Sequence, residues 1–120
     1  MWGKPIVEQD PNGLKPGEPG AKLDLGKNRL DLVLGGFSKA ILEVGKVGTY
    51  GANKYVRDGW LAVPDGIDRY SDALLRHYFS SKLEAIDKDS ELLHLSHMAW
   101  NALAVLELTV RKMEDLNKNA

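Results

Sequence analysis

The chain has 120 residues, 43% of them hydrophobic and 28% charged, with sixteen basic and seventeen acidic side chains for a net charge of −1. That length holds one domain and that composition is globular, which argues against a mostly disordered chain and against a protein that grips duplex nucleic acid by charge alone. With no cysteine there is no disulfide framework, no thiol nucleophile and no thiolate metal site.

The first 22 residues hold four of the five prolines together with Gly3, Gly13, Gly17 and Gly20. Proline removes backbone donors and glycine raises the entropy cost of ordering, so an extended tail over residues 1–22 is expected, with Trp2 as its anchor. No apolar run reaches the roughly 20 residues of a membrane span, and the N-terminus lacks a signal-peptide core. The expected compartment is the cytoplasm, with no membrane partner.

Residues 23–37, LDLGKNRLDLVLGGF, alternate apolar and polar without a second strand to pair with, and read as an apolar-anchored loop. Phe37, Ala40, Ile41, Val44 and Val47 then recur at helical spacing and predict a first helix over residues 36–52. Gly45, Gly48 and Gly51 form a small-residue stripe on one side of it, open to close approach by a backbone or a ligand. Residues 54–68 carry Asp58-Gly59 and Pro64-Asp65-Gly66 and read as a loop, polar enough to leave Trp60 exposed. Asp68 can cap a second helix over residues 69–85, and Ser90 a third over 90–116. Leu95, Met98, Ala102, Val105, Leu106, Thr109, Met113 and Leu116 give the third helix its expected core stripe. The short connection IDKDS makes these two an antiparallel hairpin. The fold class is therefore all-α, three main helices behind a Pro/Gly-rich tail, with residues 23–120 as the helical domain. Three helices of unequal length leave an apolar face of the third uncovered, so a homo-oligomer, most simply a dimer, is expected.

All three histidines fall within residues 77–97. His94, His97 and Asn101 share one face of the third helix, within about 60° at 100° per residue. His77 and Glu84, seven apart, share a face of the second helix, and Asp87 sits in the connection. Imidazole nitrogen and carboxylate oxygen suit a divalent cation, so His77, Glu84, Asp87, His94 and His97 are the candidate metal ligands. The competing reading is that each histidine only bonds to steady the hairpin. Arg69 and Arg76 point the same way on the second helix, with Asp72 placed to pair with Arg76. Together with Lys27, Arg29 and Lys54 they can hold phosphates, while Trp60 or Tyr55 offers a π-face to a base. A P-loop, a dinucleotide-binding glycine motif and a G-x-S-x-G nucleophile elbow are all missing from the sequence.

The ordered strings GKNRLDLV, FSKAILEVGKVGTYGANKY, Trp60, RYSDALLRHY, the E-x-x-D of Glu84 and Asp87, and HLSHMAWNALAVLEL resemble a small phage-associated family. It is the N-terminal domain of dATP/dGTP diphosphohydrolase, and the resemblance spans residues 26–108. The chain departs from its pattern at Tyr50, which stands for a phenylalanine, at Gly59, for an asparagine, and at Leu83, for a glycine. The resemblance implies an all-α protein, phage-encoded and so working in the host cytoplasm. Its ligand would be a purine nucleotide, and it would be distantly similar to MazG-like pyrophosphohydrolases that release monophosphate and pyrophosphate with Mg²⁺. On that footing Glu84 and Asp87 are the catalytic carboxylates and Mg²⁺ or Mn²⁺ the cofactor. Lys27, Arg29, Lys54, Tyr55, Trp60, Arg69, Arg76 and Asn101 would bind the ligand. The chain contains no E-x-x-E, the partner motif of MazG-like sites. A second hypothesis is accordingly a non-catalytic protein that sequesters a nucleotide-derived host immune signal.

Overall fold

The computed structural model describes residues 3, 4 and 7–119; Trp2 lies outside the described residues. Among these the chain is all-helical: α1 spans Asp31–Leu34, α2 Ser38–Lys54, α3 Gly66–Ser81 and α4 His94–Lys118, with a 3₁₀ turn at Gly59–Ala62. The one β-type pairing is an isolated antiparallel bridge between Ile86 and Leu93.

The chain divides into two compact units, the first ending at Gly36 and the second running from Phe37. In the first, the proline-rich segment forms no helix or strand, but it is not simply extended. Asp10 is buried, and its carboxylate accepts the backbone N–H groups of Asn12 (2.6 Å) and Lys22 (2.7 Å). Leu25 N–H donates to the Gln9 carbonyl at 2.9 Å, so the segment doubles back on itself. The expected loop over 23–37 contains α1, a single turn whose four side chains are all exposed.

In the second unit α3 and α4 form the hairpin, and α2 packs on α4. All three main helices start later or earlier than the sequence reading has them. Asp68 is not a cap: α3 begins two residues before it, at Gly66, just after Asp65 in the left-handed region (φ 54°). Gly66 is buried, and a Cβ there would lie 3.1 Å from Leu108 Cδ1, so the absent side chain lets the start of α3 meet α4. Ser90 is no cap either, because residues 82–93 fold into a pinched loop and α4 starts at His94. The expected loop over 54–68 contains the 3₁₀ turn, and of the glycine stripe on α2 only Gly48 faces a neighbour: a Cβ there would lie 3.9 Å from Trp100 Nε1.

Trp60 is half-buried, which corrects the expectation that its polar loop leaves it exposed. Its ring meets Trp100 edge-on at 5.7 Å and Tyr70 at 6.4 Å, and its carbonyl accepts the Tyr70 hydroxyl at 2.9 Å. Tyr70 and Trp100 complete the triangle at 5.6 Å. Edge-to-face rings gain from their quadrupoles as well as from buried area, so this cluster locks the 3₁₀ turn to α3 and α4.

The stripe expected to be the core of α4 is mostly open. Leu95, Ala102, Leu106, Met113 and Leu116 are exposed, whereas His94, Ser96, His97, Asn101 and Ala104 are buried. Helix α4 thus turns a polar face toward its neighbours.

Candidate histidine–carboxylate site

Burying a polar face costs free energy unless its groups are bonded. On α4 the bonds converge on the start of the helix. His94 Nδ1 faces His77 Nδ1 of α3 at 2.9 Å. The His97 ring stacks on His77, centroids 4.5 Å apart and planes 11° from parallel. The loop between the helices closes over both rings. Its backbone is pinned by His94 N–H to Ala85 O (2.9 Å) and Asp87 N–H to Leu92 O (2.8 Å), with Glu91 in the left-handed region at φ 61°. This fold-back holds Asp87 in place. Its carboxylate accepts the Ser90 N–H at 2.9 Å and the Ser90 hydroxyl at 2.7 Å. The same hydroxyl lies 2.7 Å from His97 Nε2, and Asp87 Oδ2 lies 3.7 Å from that nitrogen.

Glu84 stands at the rim, half-exposed, its Oε1 3.6 Å from His94 Nε2. That nitrogen is buried and makes no hydrogen bond. One donor atom from each of His77, Asp87 and His94 lies within 4.8 Å of the other two. All five candidate ligands therefore gather at the top of the hairpin.

Protonation follows from the same geometry. Burial, reinforced by the neighbouring His97 and His94, keeps His77 below the ordinary imidazole value. Burial does the same to His97, against the pull of Asp87. For Asp87, burial pushes the carboxyl up, but the two bonds from Ser90 and the nearby imidazoles outweigh it and hold it below the usual range. Near neutral pH Asp87 is an ionised carboxylate beside two imidazoles, His77 and His97, that keep a lone pair. The sign for stability is then fixed. Unfolded histidine titrates near 6.5, so below about pH 6.5 the unfolded chain binds more protons than the folded one and stability falls with falling pH. Asp87 adds a second loss below about pH 3.9, through its lowered folded value. In chelator-treated protein the melting temperature is expected to drop steadily from pH 7 to 5.5. A rise over that interval would mean the carboxylates, not burial, control the rings.

The remaining candidates are spread more widely. Arg76, beside His77, is exposed, and among the described residues no ion pair joins it to Asp72, contrary to the expected pairing. Lys54 is exposed, its Nζ 5.7 Å from the centre of the Tyr50 ring and 5.3 Å from that of Tyr55. Tyr50 in turn meets His97 edge-on at 6.2 Å, which ties Lys54 to the cluster through one ring. Arg69 is exposed and reaches back to the Pro64 carbonyl at 3.4 Å. Asn101 is buried, its amide donating to the His97 carbonyl at 2.8 Å. Lys27 and Arg29 belong to the first unit, paired with Glu8 (3.4 Å) and Asp31 (3.0 Å). Two participants carry no sequence signal that assigns them to the site. Ser90 reads in the sequence as a cap, although Asp-x-x-Ser is a local turn pattern that predicts its bonds to Asp87. Tyr50 has no signal of its own beyond its place in the motif.

The family described as dATP/dGTP diphosphohydrolase, N-terminal, matches residues 17–117, well over half of the 120-residue chain. The chain belongs to this family. The match takes in both helices of the hairpin, the loop between them and every candidate site residue. No curated protein and no solved structure matches the chain. No helix among the described residues is long and apolar enough to cross a membrane.

Proposed function

We propose that the chain hydrolyses a purine deoxynucleoside triphosphate, dATP or dGTP, to the monophosphate and pyrophosphate, with the histidine–carboxylate cluster as the reaction centre. The observation that carries this is the convergence of His77, Asp87 and His94 within 4.8 Å, in a chain of a family named for that activity. A water oxygen forms the new bond to the α-phosphorus, the bond from that phosphorus to the α–β bridging oxygen breaks, and pyrophosphate leaves with the bridging oxygen. In this reading Glu84, half-exposed at the rim, takes the water's proton. Arg76 and Lys54 meet the charge on the phosphates, since neither is neutralised by a carboxylate in an ion pair among the described residues. A dication held by the cluster would add Lewis-acid charge on the phosphate oxygens. The test is incubation of purified protein with dATP, dGTP and their ribo- and pyrimidine counterparts, with products separated by ion exchange. Monophosphate and pyrophosphate in equal amounts are expected. Recovery of intact nucleotide from heat-denatured protein, with no product, would replace the hydrolase by a binder.

We also propose that a second copy of the chain covers α4. Leu95, Ala99, Ala102, Leu106, Thr109, Met113 and Leu116 are spaced alternately by four and three, the seam of a coiled coil over three heptads. At 100° per residue this seam lies about 120° round the helix from the buried histidine face. Val47 and Ala104 are the only buried apolar side chains among the described residues, a core too small for a chain of this length on its own. A seam of this spacing fits a helix of the same kind, and Ala99, Ala102 and Thr109 leave room for close approach. Light scattering at micromolar concentration is expected to give a dimer, and Leu106→Lys with Met113→Lys a monomer. A monomeric parent protein would overturn this.

A further inference from the structure

The Mg²⁺ implied by the MazG-like resemblance does not fit the donors present. Mg²⁺ takes oxygen ligands and keeps its waters, whereas His77 and His94 offer imidazole nitrogen and only Asp87 offers a carboxylate. We propose that His77, Asp87 and His94 form a two-histidine, one-carboxylate site for a six-coordinate first-row transition dication, Mn²⁺ or a heavier neighbour, in place of Mg²⁺.

Three independent features support this. The first is the facing of the two rings. Nδ1 of His77 and Nδ1 of His94 are 2.9 Å apart. Two nitrogens at that separation, each about 2.1 Å from one ion, subtend about 87° at it, close to the right angle of adjacent octahedral positions and well short of a tetrahedral angle. The second is the unpartnered His94 Nε2, on a side chain only 6% exposed. Without an ion, one Nδ1 must donate to the other, so only one of the two rings keeps its Nδ1 lone pair in that contact. With an ion on both Nδ1 lone pairs, Nε2 carries the proton and Glu84 Oε1, 3.6 Å away, is the nearest acceptor. A carboxylate behind a ligating imidazole is the usual arrangement for fixing its tautomer. Toward the ion Glu84 then acts through His94 as a positioning residue, besides taking the water's proton in the hydrolase reading. The third is the fixing of the other two ligands before any ion arrives. Ser90 clamps Asp87 with two hydrogen bonds, and His97 stacks flat on His77. Three protein ligands on a six-coordinate ion would leave three positions for water and phosphate oxygens.

The inference shares its residues with the hydrolase reading but is tested without turnover. Chelator-treated full-length protein is titrated with MnCl₂, and free Mn²⁺ is followed by its electron-paramagnetic-resonance signal. One Mn²⁺ per chain is expected, undisplaced by a hundredfold excess of MgCl₂. His94→Ala and Asp87→Ala should each weaken binding more than tenfold, and Glu84→Ala by about 10–100-fold. X-ray absorption on the Mn²⁺-loaded parent protein keeps the proposal testable if a variant fails to fold: two imidazole nitrogens are expected around the ion. An all-oxygen shell, displacement by equimolar Mg²⁺, or unchanged Mn²⁺ affinity in folded His94→Ala would overturn it. Turnover in Mg²⁺ without Mn²⁺ binding would sink this site and leave the hydrolase reading. Mn²⁺ binding without turnover would do the reverse.

Discussion

Trp60→Ala is expected to lower the melting temperature by more than 10 °C. The substitution removes a half-buried indole from a three-ring cluster that joins the 3₁₀ turn to α3 and α4. Truncating a core aromatic costs about 3 kcal/mol, and a domain of this size loses roughly 4–8 °C per kcal/mol. Tyr70→Phe, which deletes only the hydroxyl bonded to the Trp60 carbonyl, should cost about 1 kcal/mol. Trp60→Phe keeps an aromatic edge against Trp100 and should recover part of the loss. Thermal and urea unfolding of the three variants gives these values directly. If Trp60→Ala instead melts within a degree or two of the parent but binds nucleotide much more weakly, the ring serves the ligand and not the fold.

The second large effect falls on chemistry. Asp87→Asn preserves the shape of the side chain and one acceptor for Ser90, so the loop over the histidines should stay folded. It removes the only carboxylate among the candidate ligands His77, Asp87 and His94. Turnover of dATP or dGTP is expected to fall at least a hundredfold, about 2.7 kcal/mol of transition-state stabilisation, with the melting temperature within a few degrees of the parent. Steady-state kinetics on folded protein decides this. A fall of less than threefold would move the reaction away from Asp87.

The candidate site was more legible in the sequence than the packing around it. His77, Glu84, Asp87, His94 and His97 can be brought together by helical facing and a short connection alone, and they do lie together. What the periodicity of α4 obscured was which of its two faces is turned inward. The apolar seam through Leu95, Leu106 and Met113 has the stronger pattern, yet the face through His94, His97 and Asn101 is the buried one. Periodicity reports that a face is apolar, not what covers it, and a face reserved for another chain looks the same as a core. The start of α4 was misplaced for a related reason. Ser90 has the chemistry of a cap, but its hydroxyl is engaged by Asp87 and His97, and the backbone pairing of Ile86 with Leu93 delays the helix to His94. Trp60 reads as exposed in the sequence because its neighbours there are polar. Its neighbours in space, Tyr70 and Trp100, come from two other elements.

We propose that an ion held by His77, Asp87 and His94 is the one that supports hydrolysis. The most direct measurement follows Mn²⁺ occupancy and dGTP or dATP turnover together, in one titration of chelator-treated protein. Turnover should rise in proportion to occupancy of a single site per chain, and both should be lost together in His77→Ala. Turnover that saturates before the site fills, or that persists in folded His77→Ala, would contradict the account.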